Sequence, residues 1–271
     1  MENLKLGFIG AGNMGSALIK GIVASGLVNP RDISVNDFNK EKLHSLAKDT
    51  GVKPKENNID VIAESDMVFL CVKPDIVKGV LEECKGVIGL NKVIVSIAVG
   101  IPLKVYMDII GNDKKVIRVM PNTPALVGEG MTVLCANSNV TEEEYNQVKE
   151  LFRSVGRVED LPEKLMNEVT ALTGSSPAYV FMFIEAMADA AVQSGIQREL
   201  AYKLAAQAVL GAAKMVIETG KHPAELKDQV CSPAGTTIEA VRALEKNGFR
   251  YAVIDAMNEC TKKAIKIAES M

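Results

Sequence analysis

The chain has 271 residues, 48% hydrophobic and 24% charged, with a net charge of −3, 4% aromatic residues and no Trp. These are the proportions of a soluble globular protein, and the length favours two domains over one. An acidic chain with so few aromatic side chains has neither a basic stripe nor stacking platforms, which argues against nucleic-acid binding.

The opening Met1-Glu2-Asn3-Leu4-Lys5 runs straight into a strand-like segment, without the charged region, long apolar stretch and cleavage site of a secretory signal. A cytoplasmic location is expected. The most apolar helical segments are interrupted by Glu185 and Asp189 or by Gln207 and Lys214, so no clean membrane span of about 20 apolar residues is read. Cys71, Cys84, Cys135, Cys231 and Cys260 contain no Cys-x-x-Cys pair and have only His44 and His222 to assist them. That spacing fits neither zinc nor a disulfide framework, and the bland reading is small buried residues in a reducing compartment. Cys231 is the exception, because it adjoins a candidate ligand seat.

Short apolar runs at 4–9, 33–35, 67–72, 93–97, 116–120 and 131–135 predict strands, with helices between the early ones at 17–24, 40–47 and 75–84. That alternation predicts βαβ units and a doubly wound parallel sheet covered on both faces, an α/β domain over 1–161. Within it, Gly10-Ala11-Gly12-Asn13-Met14-Gly15 follows an apolar strand and opens a helix. Gly10 permits a tight turn, Gly12 the approach of a pyrophosphate and Gly15 close packing of helix on sheet, the pattern of a dinucleotide site.

The second strand ends at Asn36-Asp37-Phe38-Asn39-Lys40, with Asp37 placed 22 residues past Gly15. An acid there holds the ribose hydroxyls of NAD, whereas Asn36, Asn39 and Lys40 accommodate the extra phosphate of NADP, so both cofactors stay open. The bland alternative for Asp37 is a cap on the next helix. Further loops fall at strand carboxyl ends, where ligands of open α/β sheets bind: Cys71-Val72-Lys73-Pro74, Ser96-Ile97-Ala98-Val99-Gly100 and Met120-Pro121-Asn122-Thr123-Pro124. For the last, the bland reading is a Pro-rich turn in which Asn122 bonds its own backbone. Its place on the sheet favours a part in the nicotinamide pocket.

Thr141 with Glu142, Glu143 and Glu144 starts one more helix, and Leu161-Pro162 marks the junction. Beyond it, over 162–271, only helical periodicity remains, with helices expected at 163–172, 176–194, 198–218, 224–229, 235–244 and 251–269. The helix at 198–218 has almost no polar face and must be buried on all sides. About 110 residues of helix cannot easily enclose it, so a subunit interface and at least a dimer are expected, the alternative being a central helix wrapped by its own neighbours.

Cys231-Ser232-Pro233-Ala234-Gly235-Thr236-Thr237 reads as a helix start with Ser232 as cap and Pro233 first. Its free amides and the hydroxyls of Thr236 and Thr237 make a seat for a small carboxylate. Gly174-Ser175-Ser176-Pro177-Ala178 repeats that chemistry, and from Gly174 to Gly195 there is no Lys, Arg or His. Alcohol oxidation needs a His or Lys tuned to take a proton. Reduction of an imine already protonated at nitrogen mainly needs positioning and a hydrogen bond. Both histidines read as structural.

The glycine motif, Val72-Lys73-Pro74, Met120-Pro121-Asn122-Thr123-Pro124, Thr173 to Tyr179, Lys221-His222-Pro223 and Ser232-Pro233-Ala234-Gly235-Thr236-Thr237 together resemble, in order along the chain, the motifs of the pyrroline-5-carboxylate reductase family. The resemblance implies NAD(P)H-dependent reduction of 1-pyrroline-5-carboxylate to L-proline, the last step of proline biosynthesis. It also implies an N-terminal Rossmann domain and an all-α C-terminal domain that interlocks with a second copy, in dimers or rings of dimers. By position, Gly235, Thr236 and Thr237 would hold the carboxylate and ring nitrogen, with Thr237 nearest the nitrogen. Ser175 and Ser176 would line the same pocket, and Asn58 would join the adenosine end of the cofactor. Ala234 departs from the family pattern, which often shows Gly there, and Asp37 weakens any inference of strict NADPH use. A β-hydroxyacid dehydrogenase shares the glycine opening but should carry a lysine on the helix after Gly174. A regulatory protein that senses NAD(P)H without turnover is the alternative from another class.

Overall fold

The computed structural model describes residue 1 and residues 4–269. Its first part alternates β1 (Leu6–Ile9), α1 (Asn13–Ser25), β2 (Ile33–Asn36), α2 (Lys40–Thr50), β3 (Lys53–Pro54), α3 (Asn58–Glu64), β4 (Met67–Leu70), α4 (Pro74–Cys84), β5 (Val93–Ser96) and α5 (Leu103–Ile110). Then come β6 (Lys115–Met120), β7 (Gly130–Ala136), α6 (Glu142–Arg153) and β8 (Gly156–Asp160). The strands form one sheet in the order β3-β2-β1-β4-β5-β6-β7-β8, antiparallel only between β6 and β7. The reversal of order beside β1 creates the switch point at which ligands of such sheets bind.

Two apolar layers sandwich the sheet. On one face Phe8 stacks on Phe69 at 4.6 Å, Phe152 of α6 tilts against them at 6.0 Å, and α1 and α2 add Leu18, Ile22 and Leu43. On the other, Ile9, Leu70 and Ile94 meet Val61 of α3, Leu81 of α4 and Tyr106 of α5. Gly7 lets α3 come close, since a Cβ there would stand 2.6 Å from Ser65 Oγ. Helix α6 starts on the expected signal: Thr141 and Glu144 form a reciprocal capping box.

Four elements escape a periodic reading. β3 has two exposed residues, β8 alternates charge on an edge, α3 is seven residues long, and α5 lacks a side-chain cap. The expected strand ends at 71–72 and 97 lie instead in the loops beyond β4 and β5.

Residues 163–172 do not form the single helix expected. A 3₁₀ turn (Glu163–Leu165), α7 (Met166–Val169) and a π turn (Thr170–Gly174) follow one another. Met166 and Val169 are buried in the second apolar layer, so packing draws the compact unit out to Ser175, past the expected junction at 161/162. That unit comprises Met1–Ser175 and Cys260–Met271, and Ser176–Glu259 forms another.

The second unit is helical, with α8 (Ser176–Gln193), α9 (Arg198–Thr219), α10 (Pro223–Val230), α11 (Thr236–Lys246) and the greater part of α12 (Phe249–Glu269). Within it Ala201 and Ala205 of α9 are buried, but Leu204, Leu210 and Ile217 are each more than half exposed. Its own neighbours therefore do not wrap α9, which removes the central-helix alternative. By length and composition α9 also meets the test for a membrane span, despite Lys203, Gln207 and Lys214. A groove of about 590 Å³ lies beside it, lined by Phe183, Met187, Val209, Val216, Leu226 and Val230.

Candidate active site

In the first unit the expected cofactor residues gather at the carboxyl ends of the strands. Gly10 has φ 101° and bonds Asn36 O at 2.9 Å, which turns the chain sharply out of β1. A Cβ on Gly15 would sit 2.3 Å from Gly10 O, so α1 rests directly on that turn. Gly12 differs: its Cβ position is open, with no atom within 4 Å, and no side chain caps the start of α1. A cradle that a Cβ would fill, facing free amides at a helix N-terminus, fits a dinucleotide pyrophosphate. Ala11 is buried, Asn13 exposed and Met14 half-buried beneath this turn.

Asp37, 8% exposed, accepts Ala11 N at 2.6 Å and Asn39 N at 2.8 Å. It is not the cap of α2. Asn39 fills that role, accepting from Lys42 N. Asn36 donates to Asn58 Oδ1 at 2.8 Å and accepts Lys40 Nζ at 3.1 Å, so β2, α2 and α3 place a polar cluster beside the turn. Phe38, 96% exposed, stands next to it.

Lys73, exposed, precedes Pro74 at the first position of α4, and Val72 is half-buried. Ala98 is buried, its amide donating to Ser96 Oγ at 3.3 Å, and Ser96 Oγ pairs with Tyr106 OH at 2.6 Å. Pro121 and Asn122 are both buried, and the Asn122 side chain bonds outside its own turn: it donates to Thr173 O at 3.0 Å and accepts Met131 N at 2.8 Å. Ser175 closes the π turn through its amide to Thr170 O, and its hydroxyl accepts Cys260 Sγ at 3.2 Å. The feature missed altogether is Arg118 in β6, 2% exposed, which donates to Asn167 Oδ1 at 2.7 Å with Glu163 Oε1 3.9 Å away. Burial holds its pKa below the ordinary value.

Burial likewise raises three thiols: Cys71 far up, Cys84 to about 11 and Cys135 to about 12. Cys84 and Cys135 are buried, as the bland reading expects, whereas Cys71, Cys231 and Cys260 are partly exposed. Among the described residues no cluster of His, Cys, Asp and Glu is suited to a metal. His44 is exposed, and His222 Nδ1 caps α10 by accepting Ala224 N at 3.1 Å.

In the second unit the start of α11 differs from expectation. Its cap is Gly235 and its first residue Thr236, while Ser232-Pro233-Ala234 form a turn closed by Gly235 N to Ser232 O at 3.0 Å. Ala234 takes φ 56°, which breaks helical direction and explains why Pro233 cannot be the first helical residue. No side chain caps α11. Thr236 is exposed and Thr237 half-buried in that first turn, and Ser176 begins α8.

A switch-point glycine cradle with an open amide-bearing helix start defines a dinucleotide-dependent oxidoreductase of Rossmann type. Residues 5–100 match the family model described as NADP oxidoreductase, coenzyme F420-dependent, and residues 163–267 that described as pyrroline-5-carboxylate reductase dimerisation. Over 266 residues the chain is 50% identical to the pyrroline-5-carboxylate reductase of Escherichia coli K12, covering 98% of this chain and 99% of that one. It is 44% identical to that of Arabidopsis thaliana, covering 99% and 97%. The crystal structure of the Plasmodium falciparum pyrroline carboxylate reductase with NADP bound superposes with a TM-score of 0.91 at 35% identity, covering 99% of each chain. The chain belongs to the pyrroline-5-carboxylate reductase family.

Proposed function

We infer that this protein reduces 1-pyrroline-5-carboxylate to L-proline with NADH or NADPH. The observation that carries this reading is the end-to-end likeness to reductases of that substrate, with the cradle at Gly10–Gly15 intact. The reduced nicotinamide, when bound, supplies the hydride. The chain itself binds and orients. The amides of Gly12 and the first turn of α1, within the Gly10-Ala11-Gly12-Asn13-Met14-Gly15 turn, hold the pyrophosphate, with Asn36, Asp37 and Asn58 toward the adenosine end. Lys73, between Val72 and Pro74, reaches a phosphate or the substrate, and Ala98, Pro121 and Asn122 shape the nicotinamide end.

Gly235, Thr236 and the first amides of α11, supplied by the partner subunit's helical domain, anchor the carboxylate, Ser175 and Ser176 line the pocket, and the Thr237 hydroxyl hydrogen-bonds the ring nitrogen. A substrate protonated at nitrogen needs no base, in keeping with the lack of Lys, Arg and His over 174–195. We assign residues 162–271 as the substrate-binding and dimerisation domain. The exposed apolar face of α9 serves subunit contact rather than a membrane, and the protein acts in the cytoplasm as a dimer or a ring of dimers.

The test is oxidation of NADH and of NADPH by purified protein with and without 1-pyrroline-5-carboxylate, followed by Thr237→Ala. Substrate-dependent oxidation is expected, and the variant should lose turnover while still binding cofactor. Undiminished turnover in Thr237→Ala would remove that residue from its role.

A further inference from the structure

Arg118 and Met120 of β6, with Asn122 just beyond the strand, grip the segment 163–175 at three levels. Arg118 Nη2 donates to Asn167 Oδ1 at 2.7 Å, and its Nη1 lies 3.9 Å from Glu163 Oε1. That same carboxylate oxygen accepts Leu103 N at 2.6 Å, tying in the start of α5. One step along the face, Met120 Sδ accepts Thr170 Oγ1 at 3.9 Å and lies 3.4 Å from where a Cβ on Gly174 would be. A further step on, Asn122 donates to Thr173 O at 3.0 Å. The segment ends at Ser175, whose amide closes the π turn and whose hydroxyl accepts the Cys260 thiol. π turns recur at functional sites because they re-aim the residues that follow.

Arg118 is also a poor choice for stability alone. It is 2% exposed, its Nε has no partner among the described residues, and a buried ion pair commonly contributes no more than apolar packing of equal volume. What a fixed guanidinium fork supplies is direction. We propose that Arg118 is a positioning residue: acting through Asn167 and Glu163, it fixes where Ser175 sits relative to Pro121. This rests on the reading above, in which Ser175 faces substrate and Pro121 the nicotinamide. The residue touches neither reactant.

The experiment is steady-state kinetics of Arg118→Met, Arg118→Lys and Asn167→Leu, with NADPH affinity by fluorescence and a thermal melt for each. Because small misplacements of reacting groups are costly, Arg118→Met should lose about tenfold or more in kcat/KM for 1-pyrroline-5-carboxylate. NADPH affinity should hold, since Asp37 secures the glycine turn separately. Arg118→Lys should recover part of the loss by still reaching Asn167 or Glu163, and Asn167→Leu should fall in the same direction. If Arg118→Met does not fold, Asn167→Leu decides alone. Parent-like kcat/KM in the folded variants overturns the proposal, as does a loss shared equally with NADPH affinity. A parent protein inactive on this substrate would instead overturn the functional reading.

Discussion

Asp37 accepts the backbone amide of Ala11 at 2.6 Å, so a carboxylate at the end of β2 pins the glycine turn at the end of β1. With Asn39 N on its other oxygen, this buried charge is satisfied by backbone alone. Asp37→Ala should therefore cost about 1–3 kcal/mol, the penalty for stranding a buried donor, and weaken NADH and NADPH binding together. Urea unfolding and fluorescence titration measure the two effects. Loss of NADH affinity alone would show that Asp37 acts on the ribose and not on the turn.

Ala234 is the one non-glycine residue with positive φ among the described residues. A left-handed conformation costs an L-residue roughly 1–2 kcal/mol. Glycine gives back about 0.4–1 of that in unfolded-state freedom. Ala234→Gly should thus stabilise the protein by roughly 0.5–1 kcal/mol, seen as a higher Tm. A lower Tm would mean that the Ala234 methyl contributes packing that outweighs its strain.

Glu144 caps α6 with Thr141 and meets Lys115 Nζ at 2.6 Å. Burial pushes its pKa up, but Lys115 and Thr141 outweigh this, and the net value lies below the ordinary one. A depressed folded-state pKa contributes stability above the unfolded value and loses it as pH falls through the folded one. Glu144→Gln should cost about 1 kcal/mol near neutrality, with the difference from the parent closing below about pH 4. Unfolding curves at both pH values check this. A gap that persists in acid would place the effect in packing rather than charge.

Leu210 stands 55% exposed on α9. If that face meets a second copy, Leu210→Asp buries a charge there at a cost of several kcal/mol, and sedimentation should show a smaller species with reduced activity. A parent-like profile and rate would take α9 out of the interface.

Much of this protein was determined by short stretches of sequence. Gly10, Gly12 and Gly15, the Thr141–Glu144 capping box and the apolar strands at 67–70 and 93–96 declare themselves because turn chemistry, caps and periodicity act within a few residues. The apolar girth of α9 was equally legible. What the tertiary structure alone decided depends on residues far apart in sequence. Asp37 reads from sequence as a ribose ligand or a helix cap; its bond from the Ala11 amide, 26 positions away, comes only with the fold, and the cap of α2 is Asn39. The bland reading has the Asn122 side chain bonding its own turn, yet that side chain bonds Met131 and Thr173 instead. Arg118 was lost inside an apolar strand, and the short edge strands β3 and β8 carry no period of their own. The Ser232–Gly235 turn was placed as a helix start because caps and prolines favour one locally, but a carbonyl-to-amide bond and one left-handed alanine moved the helix to Thr236. Local preferences bias each segment, and the partner that completes a buried polar group arrives only when the chain has folded around it.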